Sequence, residues 1–145
     1  MTPAPHVGLD GLGRAPHTRR APSPRTGAAM AAEAATFALA SAIHFAVGFT
    51  DAAIPELLIA AVLGLGSAAA LSGRPHAWGA AAGTTSFAAL GTIVGLTIIA
   101  TGRQDAPDLA YHATILAALT ATLIALWRLR DAARRPVLRS WPPRL

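Results

Sequence analysis

The sequence predicts an all-α integral membrane protein, an up-down bundle of four helices with both termini in the cytoplasm. Three observations lead there. Apolar residues make up 53% of the 145 residues and charged residues only 13%, where a soluble domain carries roughly 25% charge. The apolar residues gather in four stretches of about 20, the length a helix needs to cross roughly 30 Å of hydrocarbon. Short breaks with turn chemistry separate the stretches, and short loops make consecutive helices antiparallel neighbours. The same composition excludes disorder along the whole chain. The absence of Cys excludes a disulfide framework, a thiolate metal site and a thiol nucleophile.

Residues 1–27 stand apart. Pro3, Pro5, Pro16, Pro22 and Pro24 alternate with Gly and with Arg14, Arg19, Arg20 and Arg25, so the expectation is a disordered basic tail. It lacks the apolar core and cleavage site of a secretory signal. Met30 sits where a shorter chain could start. The membrane domain then covers 28–127, with spans over about 28–49, 54–71, 77–100 and 107–127. The breaks are Gly48–Asp51, Ser72–Pro75 and Thr101–Pro107. Pro55 and Pro107 fall in first turns, where Pro is tolerated. Asp51 and Asp105 precede them as candidate caps. Residues 128–145 form a second basic tail.

All twelve basic residues are Arg, and their placement sets the orientation. With both termini in the cytoplasm, eleven lie inside and Arg103 alone lies outside. Trp78 and Trp127 fall at the inner span ends and Trp141 just beyond, where interfacial aromatic residues belong. The expected location is the bacterial cytoplasmic (inner) membrane, as a multi-pass protein. The basic excess is read as topology setting plus attraction to anionic headgroups of the lipid bilayer. No nucleic-acid partner is expected, because these Arg lack interleaved aromatics or a recognisable fold.

Lipid supplies no hydrophobic force between helices, so small residues must let backbones approach. In span three Gly79 and Gly83 are four apart, as are Gly91 and Gly95. With Phe87 between the pairs, they form one stripe. Ala60, Gly64 and Ser67 offer similar use in span two. The stripe serves packing within the chain or a homo-oligomer through span three.

Ionisable groups inside a bilayer are expensive and invite a functional question. His44 and His112 each lie about five residues inside an outer span end, roughly 7–8 Å deep at about 1.5 Å per residue. Glu56 is about a turn shallower, and Thr97 lies at similar depth. Asp108 stands four residues before His112, on one helix face. Its carboxylate can fix the imidazole tautomer, and Tyr111 adds a hydroxyl. This outer-leaflet cluster is either structural or binds a small ligand or protons. His44, Glu56 and His112 also have the donor types of a divalent metal site, and the two His those of a haem sandwich. No cofactor is expected as the first choice. Glu33 lies about five residues into span one. Its alternatives are snorkelling, pairing with Arg74 or Arg128, or proton coupling. Small multidrug transporters also have four spans and a Glu in the first, but this chain lacks their aromatic pattern around it. His6, His17 and His76 receive no role. There is no phosphate loop, nucleophile elbow or HExxH, so the chain is read as non-enzymatic. Alternatives are a small proton-coupled transporter acting as an oligomer, and a membrane redox or metal protein using His44 and His112.

Three segments together carry a resemblance: Ser41-Ala-Ile-His44, Phe87-Ala-Ala-Leu-Gly-Thr-Ile-Val-Gly-Leu96 and Ala106-Pro-Asp-Leu-Ala-Tyr-His112. They resemble a group of small four-span bacterial inner-membrane proteins without an assigned function. The group has an ALGTxVG run in span three and PDxxYH at the start of span four. The resemblance covers about residues 33–127 and implies the same fold and location. It carries over Pro107, Asp108, Tyr111 and His112, with His44 and Glu56 beside them, and implies no activity.

Overall fold

The computed structural model describes residues 22–74, 77–102 and 106–134, with the backbone alone at residues 133 and 134. Four helices account for almost all of them: α1 (Pro24–Ala46), α2 (Thr50–Leu71), α3 (Ala77–Thr101) and α4 (Ala106–Arg134). All four are long and apolar enough to cross a membrane. Each is packed against its neighbours in chain order, and α1 and α4 close the bundle along a thinner seam.

Several helix ends differ from expectation for local reasons. Helix α1 starts at Pro24 rather than Ala28, because Ser23 caps it. The extended Ser23 accepts the Thr26 amide on its side chain at 3.2 Å, and Pro24 sits at a first-turn position where its missing N–H costs nothing. Thr26 and Gly27 are buried, so the expected tail over 1–27 gives way to helix at its last residues. Its first 21 residues lie outside the described ones. Helix α1 ends at Ala46 rather than Phe49, turned by Gly48 at φ 77°. A side chain would strain that left-handed backbone.

Helix α2 begins four residues early, at Thr50. Asp51 is therefore no cap but part of the first turn, where its charge suits the positive end of the helix dipole. Pro55 consequently lies inside the helix rather than in its first turn. Pro107 does fall in the first turn of α4. Asp105, Arg103, Trp141 and the tail beyond Arg134 lie outside the described residues. The first part of that expected tail, 128–134, continues α4.

The side-chain distribution is inverted relative to a water-soluble bundle. Leu39, Val47, Leu65, Leu90 and Ile98 are all more than 60% exposed. Ala34, Ala53, Ala70, Ala81 and Ala88 are buried, together with Ser41, Ser67, Thr85, Thr92, Thr122, Glu33, Glu56 and His112. Large apolar residues outside and small or polar ones inside is the arrangement a hydrocarbon solvent selects. The multi-pass membrane class thus rests on both helix length and the direction the side chains face. Met30, Phe37, Leu63, Leu119 and Leu126 fill the centre.

Polar groups tie the helices in pairs, the start of one to the end of another. Ser67 Oγ donates to the Gly27 carbonyl at 2.8 Å, and Ser41 Oγ to the Ala53 carbonyl at 2.7 Å, both between α1 and α2. Trp78 Nε1 at the start of α3 donates to the Leu126 carbonyl of α4 at 2.8 Å. Trp78 and Trp127 stack edge to face at 5.3 Å, and the Arg130 guanidinium lies 4.7 and 4.9 Å from their ring centres. Trp78 is thus more than an interfacial anchor, because it fastens α3 to α4. Trp78→Phe removes the indole donor to the Leu126 carbonyl and weakens the stack on Arg130. We expect a loss of about 1–2 kcal/mol, one hydrogen bond plus part of a cation–π contact. Thermal unfolding in mild detergent measures it.

Candidate functional site

Two polar clusters occupy the interior at different depths. The first lies at the end that carries the α1–α2 turn. There His44, in the last turn of α1, meets Glu56 of α2, with Nδ1 2.7 Å from Oε2. The carboxylate can only accept in its ionised form, so the ring donates from Nδ1 and its lone pair falls on Nε2 when neutral. Glu56 is buried, and its other oxygen, Oε1, has no hydrogen-bond partner.

On α4, His112 turns back toward its own helix. Its Nδ1 lies 2.9 Å from the Asp108 carbonyl and 3.1 Å from Asp108 Oδ1. A backbone carbonyl is an acceptor only, so Nδ1 again carries the hydrogen. Nε2 points at α3, where Gly95 makes room: a Cβ there would sit 2.9 Å from it. Between the two pairs stands Tyr111, edge-on to His112 at 5.0 Å and to Phe37 at 6.4 Å. Its hydroxyl is buried without a partner. Glu56 lies within electrostatic reach of His112 and Asp108, and Tyr111 within reach of Glu56 and Asp108. The structure therefore brings His44, Glu56, Asp108, Tyr111 and His112 together as two hydrogen-bonded pairs around a bare phenol.

Thr97 does not join them. It is exposed on α3 and donates to Ile93 of its own helix at 2.8 Å. Glu56 bonds His44 and not His112. Among the described residues no three His, Asp or Glu side chains converge into a metal-binding group. His44, Glu56 and His112 stand as two separate pairs rather than one donor set.

The second cluster is deeper. Glu33, eleven residues before His44 and so about 16 Å along α1, is buried. Its Oε1 accepts from the Thr122 hydroxyl of α4 at 2.7 Å. Neither Arg74 nor Arg128 pairs with it, and it does not snorkel. Its Oε2 is buried without a partner. Thr122 was not singled out from the sequence, although a signal existed. It lies ten residues beyond His112, as Glu33 lies eleven before His44, which sets both at one depth.

The expected Gly stripe of α3 divides. Gly91 faces α2, where a Cβ would lie 2.7 Å from Ile59, and Gly95 faces His112. Gly79 and Gly83 have nothing within 4 Å, and Phe87 between the pairs is exposed. On α2, Gly66 rather than Gly64 marks the close approach: a Cβ on Gly66 would collide with Thr84 and Met30, while Gly64 faces open space.

The chain matches no protein-family model, no curated protein and no solved structure. What the sites do must therefore be argued from their own chemistry.

Proposed function

We propose that this chain is a non-enzymatic multi-pass protein of the bacterial cytoplasmic membrane whose cluster of His44, Glu56, Asp108, Tyr111 and His112 takes up protons, or a small ligand that donates hydrogen bonds. The topology is up-down with both termini inside, which puts the cluster toward the outer leaflet. The Arg distribution supports that orientation, and contacts that join the start of one helix to the end of the next support the up-down packing.

One observation carries the functional reading. Glu56 Oε1 and the Tyr111 hydroxyl are buried together without partners, beside two imidazoles whose Nδ1 hydrogens are already spent. Leaving a buried polar group bare costs about 1–3 kcal/mol. A purely structural cluster would close its hydrogen bonds, whereas this one keeps a carboxylate oxygen and a hydroxyl for an occupant. Each ring touches a carboxylate that can share its Nδ1 proton.

Infrared difference spectroscopy of the protein in lipid bilayers tests this. Stepping the pH across about 5–8 should produce a carboxyl C=O band that disappears in Glu56→Gln and survives in Thr97→Val. A spectrum unchanged by pH, or a band indifferent to Glu56→Gln, would remove the proton-site reading.

A second reading has an observation of its own: the bare Oε2 of Glu33. Two buried carboxylates, Glu33 and the Glu56 held by His44 about 16 Å further along α1, with Phe37 between Glu33 and His44 in sequence and against Tyr111 in space, suit a proton-coupled transporter. The open Gly79–Gly83 face would serve its oligomer. Proteoliposomes with an internal pH dye decide between the two. A proton leak or exchange lost in Glu33→Gln favours transport, and its absence in the folded wild type favours a binding protein.

A further inference from the structure

The thin seam between α1 and α4 opens into a groove of about 420 Å³ at the end opposite the His44–Glu56 pair. Arg25 in the first turn of α1 and Arg128 near the end of α4 line it, with Ser23 and Thr26 between them and Ala29 and Ala125 below. Among the described residues neither guanidinium has a carboxylate within ion-pair distance. The Ser23 and Thr26 hydroxyls lie 2.9 Å apart, so one donates to the other and one hydroxyl hydrogen is left for an occupant. Thr122 also lines the groove, but its hydrogen goes to Glu33, so it closes the floor.

The depth is that of a membrane surface. Arg128 stands some 33 Å along α4 from Ala106 at about 1.5 Å per residue, one hydrocarbon thickness of about 30 Å. Trp78, Trp127 and Arg130 cluster at the same end. The groove thus has two unpaired cations and a free hydroxyl at headgroup level, with small apolar side chains extending into the hydrocarbon. We infer that the α1–α4 groove is a binding site for the phosphate of an anionic phospholipid, with an acyl chain laid over Ala29 and Ala125. A free phosphate would use the same two guanidinium groups but would gain nothing from the apolar strip. Charge complementarity rejects a cationic occupant, and a zwitterionic lipid brings an ammonium toward the same two cations. This site stands independently of the proton-binding cluster.

Native mass spectrometry of the full chain released from mild detergent tests the inference. The probes are phosphatidylglycerol, phosphatidylcholine of the same chain length, and inorganic phosphate. Phosphatidylglycerol should be retained in preference to phosphatidylcholine. At about fivefold per basic residue near the surface, Arg25→Gln with Arg128→Gln should weaken retention about 30-fold. Arg74→Gln, in the α2–α3 turn outside the groove, should leave it unchanged. Restoring both positions as Lys should recover part of it. Equal retention of the two lipids by the wild type overturns the proposal, and this arm decides alone should the double variant fail to fold. So does retention unaffected in the folded double variant. Displacement of the lipid by inorganic phosphate at equal concentration makes the groove a free-anion site and overturns the lipid assignment.

Discussion

Gly66→Ala should destabilise the bundle by about 2 kcal/mol, within the range of about 1–3 kcal/mol for overpacking a close-packed interior. Gly66→Val should be worse. A Cβ at Gly66 meets the Thr84 hydroxyl, the Thr84 Cβ at 2.8 Å and the Met30 terminal methyl at 2.9 Å. The hydroxyl can rotate away from its bonds to Ala80 and Ala81, but the Thr84 Cβ is fixed to the backbone of α3. Met30 is fully buried, so its methyl must shift within a packed core, while the Thr84 Cβ cannot shift without its backbone. Helices α2 and α3 would have to separate along their length. Two residues earlier, Gly64 supplies the control. Nothing lies within 4 Å of its absent Cβ. Gly64→Ala should be neutral or stabilising by up to about 1 kcal/mol, the helix-propensity difference. Thermal unfolding of both variants in one detergent measures the contrast. Equal effects at the two positions would mean that α2 is rotated relative to α3.

Removing His44 alone should be the most damaging change in the first cluster. His44→Ala leaves the buried Glu56 with neither oxygen hydrogen-bonded, since His44 is the partner of Oε2 and Oε1 has none. Breaking one side of a buried pair costs about 3–5 kcal/mol, and the value here should fall at the lower end because the His44 side chain keeps 18% exposure. Replacing both residues should cost far less. In His44→Leu with Glu56→Met no orphaned carboxylate remains, and apolar replacements of buried pairs are often neutral. The measurement is a double-mutant cycle by thermal unfolding. If the double variant is as unstable as His44→Ala, the pair acts through shape rather than charge. The same double variant should lose the pH-dependent carboxyl band, separating stability from function.

The class of the protein was legible because it depends on sums. Four stretches of the right length, few charges and short polar breaks survive any uncertainty about which way a helix faces. The pairing of Asp108 with His112 was legible too, because a spacing of four on one helix is local geometry. The helix starts were less so. The chain around Pro24 reads as tail by composition, yet Ser23 caps a helix there. Pro55 reads as a helix start, yet the helix begins before it.

What could not be read was rotation. Helix α2 is apolar all round, so nothing in its periodicity says whether Gly64 or Gly66 faces α3. The same blindness put Gly79 and Gly83 in one stripe with Gly91 and Gly95, and put Thr97 in a cluster that it faces away from. It also left Glu33 between snorkelling, an Arg partner and proton coupling, with Thr122 among none of them. In water, hydrophobic burial marks the inner face of a helix and prints it on the sequence as amphipathicity. In lipid both faces are apolar, and the inner one is chosen by close approach and by the pairing of a few polar groups. Composition and spacing therefore determined that the chain has four stretches long and apolar enough to cross a membrane, but not depth. His44 lies in the last turn of α1 rather than five residues inside it, and Glu56 lies deeper in α2 than the expected helix start implied. Only the packed helices decided that His44 meets Glu56, that Thr122 meets Glu33 and that Arg25 and Arg128 share a groove, because those contacts depend on rotations that hydrocarbon does not record in sequence.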